Sequence, residues 1–173
     1  MYIIVDDKAS PAEPIPAEPI TAKEETYTAM PTSSKVEIRD QHSATLGLDF
    51  DAYNIEGNNY FKLRDLAYTL NGSQKQFEVE WNDANNAIML TSNTEYTAVG
   101  GEREGKGSES KSAMATTSKI LLDGKEITPT AYNIGDNNYF KLRDIGQLLD
   151  FGITWDGTNN RIIIDTSTGY IPE

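Results

Sequence analysis

Apolar and polar positions along this chain alternate and then switch to a helical spacing, in the same order twice. In the second half, "KILLDGKEI" (119 to 127) sets apolar runs on either side of Asp123-Gly124. Gly and Asp tolerate the positive φ of a tight turn, so the stretch predicts a hairpin. "TAYNI" and "NYFKL" then flank Gly135-Asp136-Asn137 and predict a further pair of strands that ends near Lys141. From Leu142 the period becomes helical: Leu142, Ile145, Leu148 and Leu149 share one face, as Leu63, Leu66, Ala67 and Leu70 do in the first half. Asn71-Gly72 supplies a helix stop, because Gly can take the left-handed conformation there. Phe77, Val79 and Trp81 next alternate with Glu78 and Glu80, and Phe151, Ile153 and Trp155 with Gly152 and Thr154, the pattern of a half-buried strand. The turns "NDANN" and "DGTNN" lead into the apolar runs "AIML" (87 to 90) and "RIIID" (161 to 165), which predict buried closing strands.

The recurrence is close to literal at its centre, where "AYNIEGNNYFKLRDL" (52 to 66) returns as "AYNIGDNNYFKLRDI" (131 to 145). A folding unit is duplicated more readily than a catalytic site. Short insertions in the first copy fall at 40 to 48 and 71 to 76, polar or Gly-bearing stretches that read as loops. The fold class expected is α+β: two tandem small units ordered β-β-β-α-β-β, each a roughly five-stranded antiparallel sheet curled around one short helix. Their bounds are 35–97 and 118–173. Residues 1–34, with the echo "PAEPIPAEPI", read as a proline-rich extension, and 98–117, rich in Gly, Ser and charge, as a linker. Units this small are marginal alone, so an interface between the copies, or a linker laid over an open face, is expected.

The phrase "NNYFKLRD", followed by an apolar helix, a Trp-bearing strand and an isoleucine-rich closing strand, resembles the stalk-type domain named after the N-terminal domain of copper amine oxidases. The resemblance covers about 35 to 97 and 118 to 168. It implies a five-stranded antiparallel sheet around a helix, in exported or surface proteins of Gram-positive bacteria, without chemistry of its own. The oxidase site is not implied. Its copper needs three histidines and this chain has only His42, while Phe61 and Phe140 stand where the quinone-forming Asn-Tyr motif needs an acid.

Charge and composition narrow the function classes. A net charge of −12, from 27 acidic and 15 basic residues, argues against a surface that tracks nucleic-acid phosphates. The absence of cysteine excludes disulfides, thiolate metal sites and cysteine nucleophiles. No apolar run approaches membrane-span length, and "MYIIVDD" lacks the basic start and cleavage site of a secretory signal. No cofactor is expected, since "NDANN" and "DGTNN" lack EF-hand spacing and read as ordinary turns. Lys62-Arg64-Asp65 and Lys141-Arg143-Asp144 could grip an anion, or could place Lys and Arg in solvent and Asp at the helix start as a cap. Tyr53, Tyr60, Tyr132 and Tyr139, with Trp81 and Trp155, could offer faces to sugar rings or pack in a core.

The function expected is that of a non-catalytic surface or extracellular module for display, spacing or adhesion. The speculative ligand contacts are Tyr53, Tyr60, Tyr132, Tyr139, Arg64 and Arg143. One alternative is a carbohydrate or cell-wall binding module, with a cell-wall glycan or another surface protein as partner. Another is self-association through the β-prone residues 2–5.

Overall fold

The computed structural model describes residues 25–48, 50–104 and 107–172. The first repeat runs β1 (Thr26–Pro31), β2 (Lys35–Arg39), β3 (Ala44–Leu48), β4 (Ala52–Ile55), β5 (Asn58–Lys62), α1 (Leu63–Leu70), β6 (Phe77–Asn82) and β7 (Ala87–Ser92). The second repeats that order as β8 (Lys111–Ala115), β9 (Lys119–Leu122), β10 (Lys125–Ile127), β11 (Ala131–Ile134), β12 (Asn137–Lys141), α2 (Leu142–Leu149), β13 (Gly152–Asp156) and β14 (Arg161–Asp165).

Local chemistry sets the hairpins. Glu56-Gly57, Asp123-Gly124 and Gly135-Asp136 all take positive φ at both turn positions, the primed geometry whose twist matches paired strands. In the first of these turns Asn54 Oδ1 also accepts the Gly57 amide at 3.0 Å. The two hairpins of the duplicated phrase then meet edge to edge, with Phe61 opposite Phe140. β1 and β8 pair on the far side, closing a six-stranded barrel in the order β1-β4-β5-β12-β11-β8.

The remaining strands exchange between repeats. β2 runs parallel to β14, with Val36 opposite Ile162, and β9 runs parallel to β7, with Ile120 opposite Ile88. The result is two four-stranded sheets, β13-β14-β2-β3 and β10-β9-β7-β6, each built from both halves of the chain. The α+β class holds in its coarse form: the regular structure is mostly strand, with two short α-helices. The expected pair of self-contained five-stranded sheets does not appear among the described residues. The closing strands are apolar on successive residues and need hydrogen-bonded neighbours on both edges, and the opening hairpin of the other repeat supplies the second one.

Two segments read as extension and linker contribute strands to the barrel. β1 and β8 each turn a fully buried alanine inward, Ala29 and Ala113, between polar or exposed neighbours, so their apolar signal is slight. Part of the stretch 40–48, read as an insertion loop, is β3, paired with β2. Residues 2–5 lie outside the described residues.

Two interiors result. One gathers the helix faces, including Leu66, Leu70, Ile145 and Leu149, against Phe77, Phe151, Ile88 and Ile162. The other fills the barrel with Tyr53, Ile55, Tyr60, Ile134 and Tyr139. At the β2–β14 ladder the buried Glu37 accepts hydrogen bonds from Arg39 and, at 2.8 Å, from Arg161, and these hold its carboxyl below the usual range against the cost of burial.

The helix-to-strand packing is compensated between copies. Ala67 and Val79 in the first repeat correspond to Gly146 and Ile153 in the second. A Cβ on Gly146 would stand 2.4 Å from Ile153 Cδ1 and 3.3 Å from Phe151 Cε2. Gly146→Ala is therefore expected to cost about 1 kcal/mol net in urea denaturation, the crowding of Ile153 and Phe151 outweighing the better helix propensity of Ala, and Gly146→Ala with Ile153→Val to recover it, because the pair reinstates the side chains of the other half.

Candidate functional site: twin tryptophan clefts

The exchange brings the Asn-Asn end of each duplicated phrase against the Lys-Leu-Arg end of the other. Between them lie two open clefts at equivalent places. The larger, about 630 Å³, is walled by Lys141, Leu142 and Arg143 from the second repeat, by Asn58 and Asn59 from the first, and by Trp155. The smaller, about 220 Å³, is walled by Lys62, Leu63 and Arg64 from the first repeat, by Asn137 and Asn138 from the second, and by Trp81. The larger cleft gains a further polar wall from Thr32, Ser33 and Ser34, the bend between β1 and β2. That bend is pinned to the opposite repeat, where Ser34 Oγ bonds Asn160 Oδ1 at 3.0 Å.

Each tryptophan ends the alternating strand after its helix, and each leaves 47% of its surface in solvent. The alternation places them on the core side with Phe77 and Phe151, but burial along each strand falls off before the Trp position is reached. The indole N–H of Trp81 is tied to Asp83 Oδ1 at 3.4 Å. Arg64 is fixed by donating to the Val79 carbonyl at 3.1 Å, so its guanidinium lies along the cleft instead of in bulk solvent.

The speculative contact residues divide. Arg64 and Arg143 line the two clefts. Tyr53, Tyr60 and Tyr139 are buried inside the barrel and Tyr132 is half-buried against them, with edge-on ring pairs Tyr53–Tyr139 and Tyr60–Tyr132 at 5.2 Å. Strand alternation turns Tyr53 and Tyr60, which face each other across β4 and β5, to the closed side of the sheet. They offer no face to an external sugar. Burial pushes the Tyr60 hydroxyl up to about 12.

The aspartates at the helix starts do not cap their own helices; Lys62 and Lys141 occupy the cap positions without side-chain bonds. Asp65 accepts the Arg103 amide at 2.8 Å and Asp144 the Thr130 amide at 2.7 Å, so both tie down incoming chain. The residues around Asp65 form a small polar core. Tyr139 donates to Asp51 Oδ2 at 2.8 Å, and Asp51 Oδ1, Asp65 Oδ2 and the Tyr53 hydroxyl are buried with no partner. Burial pushes the Asp65 carboxyl up to about 6, opposed by the Arg103 amide and by Lys62 and reinforced by the nearby Asp51 charge. Tyr139 is pushed up by burial and by the carboxylate it bonds.

His42 is exposed on the turn before β3, and among the described residues no cluster of three or more His, Asp or Glu side chains could hold a metal ion. No helix among them is long and apolar enough to cross a membrane. Compared with protein-family models, with curated proteins and with solved structures, the chain matches none.

Proposed function

We propose that this chain is a non-catalytic interaction module whose twin clefts bind carbohydrate, in keeping with a place at the bacterial surface that the stalk-domain resemblance implies. The observation that carries the reading is the pair of half-exposed tryptophans, at equivalent positions, each over a polar cleft. An indole left in water keeps a large apolar face uncovered, and the C–H face of a pyranose covers such a surface while its hydroxyls need the donors and acceptors that surround it. Asn58, Asn59, Ser33 and Ser34 supply those in the larger cleft, Asn137 and Asn138 in the smaller. The described lining of the larger cleft holds neither carboxylate nor imidazole, which supports retention of a ligand over its cleavage.

Two clefts on one interlocked body suit a repeating polymer, since the second contact is made at the effective concentration set by the first. Trp155→Ala and Trp81→Ala are each expected to remove saccharide binding at their own cleft, by calorimetric titration with cell-wall oligosaccharides. Each should cost about 1–2 kcal/mol of stability, since about half of the residue is buried, and leave the chain folded. Absence of binding by the intact, folded chain to every such oligosaccharide would leave spacing or display, which needs no cleft, as the better reading.

A further inference from the structure

The two clefts share a plan but not a charge. Around the Trp81 cleft, Glu80 and Asp136 line the wall opposite Lys62 and Arg64, and Asp83 holds the indole N–H. The equivalent positions around Trp155 are Thr154, Gly57 and Gly157. All three carboxylates are gone while both cations, Lys141 and Arg143, remain in the lining. Two acids stand beside lining residues in the chain but outside the lining itself: Asp156, which accepts the Asn159 amide at 3.2 Å and its side-chain nitrogen at 2.7 Å, and Glu56 on the adjoining turn. No ion pair among the described residues involves Lys141. In a chain of net charge −12, the lining of this larger cleft carries Lys141 and Arg143 beside its tryptophan and no carboxylate.

We infer that the Trp155 cleft selects saccharides that carry a carboxylate, whereas the Trp81 cleft takes neutral ones. The inference rests on the carbohydrate reading above and adds the class of sugar. The ring stacks on Trp155, its hydroxyls meet Asn58, Asn59 and the serines, and its carboxylate is met by Lys141, where a charge-assisted hydrogen bond outweighs a neutral one. Glu80 and Asp136, in the lining of the twin site, oppose the same group by like-charge repulsion.

The chain contains two tryptophans, so its two indole N–H signals in a ¹H–¹⁵N spectrum, assigned with Trp81→Phe and Trp155→Phe, report one cleft each. Titration of the full chain with a galacturonic acid trisaccharide is expected to move the Trp155 signal and leave that of Trp81 in place. The galactose trisaccharide should bind at Trp155 about tenfold more weakly, and added salt should weaken only the acidic ligand. Lys141→Gln and Thr154→Glu, both on exposed or half-exposed positions, should each weaken the acidic trisaccharide about 5- to 10-fold, with the Trp81 signal reporting that the fold is intact. Equal binding of the acidic and neutral sugars at Trp155, or an acidic sugar whose binding ignores both substitutions, would overturn the inference and leave the carbohydrate reading standing. If no saccharide moves either indole, or only acidic peptides do, both fall.

Discussion

Phe61→Ala is expected to cost about 3–5 kcal/mol and to unfold both repeats in a single transition at lower temperature. Phe61 is 1% exposed and stands opposite Phe140, also 1% exposed, where β5 meets β12 and the two halves of the barrel join. Its ring packs edge-on against Phe50 at 5.3 Å. Removing it leaves a cavity at the seam that β-sheet pairing on both sides keeps from collapsing. The single transition follows from the exchange of hairpins. If the first repeat opened alone, β14 would lose β2 and β9 would lose β7, so no half of the chain retains a complete sheet. Scanning calorimetry checks both parts: the van't Hoff and calorimetric enthalpies should agree for the parent and for the variant. Two resolved transitions in either protein would show that the repeats unfold as separate domains.

Asp65→Asn should stabilise the protein at pH 8 by about 3 kcal/mol and leave it nearly unchanged at pH 4. Asp65 is 0% exposed, and its carboxyl sits at about 6 in the fold against an ordinary 3.8 in the open chain. Below about pH 3 it is largely protonated in both states and costs little. As pH rises from there to about 6 the unfolded chain releases its proton first, so stability falls across that window and stays low above it. The amide can still accept from the Arg103 backbone, and it removes the charge facing Asp51. Carboxyls whose hydrogen bonds lower them, Glu37 and Asp123 among them, tilt the parent's own profile the opposite way in acid. The difference between variant and parent in chemical denaturation at pH 4, 5, 6 and 8 isolates Asp65, and a flat difference would contradict this account.

Much of the local structure was legible in the residues. Asp123-Gly124 and Gly135-Asp136 specify hairpins through backbone sterics, and the spacing of Leu142, Ile145 and Leu149 specifies a helix face, because both signals are complete within a few positions. Partner choice was not. Ile88-Met89-Leu90 and Ile162-Ile163-Ile164 state that a strand is buried on both sides, and an apolar run satisfies any neighbour of the right length. β1 and β8 leave almost no signal, because one inward alanine each, Ala29 and Ala113, is too little contrast against a polar stretch. The candidate site was half visible. Arg64 and Arg143 were singled out as contacts and do line the clefts, but the tyrosines grouped with them face the barrel interior. For Trp81 and Trp155 the sequence leaves sugar platform and core packing open, and the exchange sets the asparagines of the other copy beside both half-exposed rings. The difference between Glu80 and Thr154 could have been read by aligning the two halves, yet it has meaning only when both are seen at a cleft wall.

The exchange also governs how the chain reaches its native state. Glu37 and Arg161, which meet across the parallel ladder, are 124 positions apart, so during synthesis β2 emerges long before the strand it lies beside. A nascent chain therefore waits with an open sheet edge until β14 has been made, and pairings of such long range are slow to close. In that interval a second nascent copy presents an identical edge, so crowded ribosomes favour hairpins traded between molecules, and dilution during refolding favours the monomer.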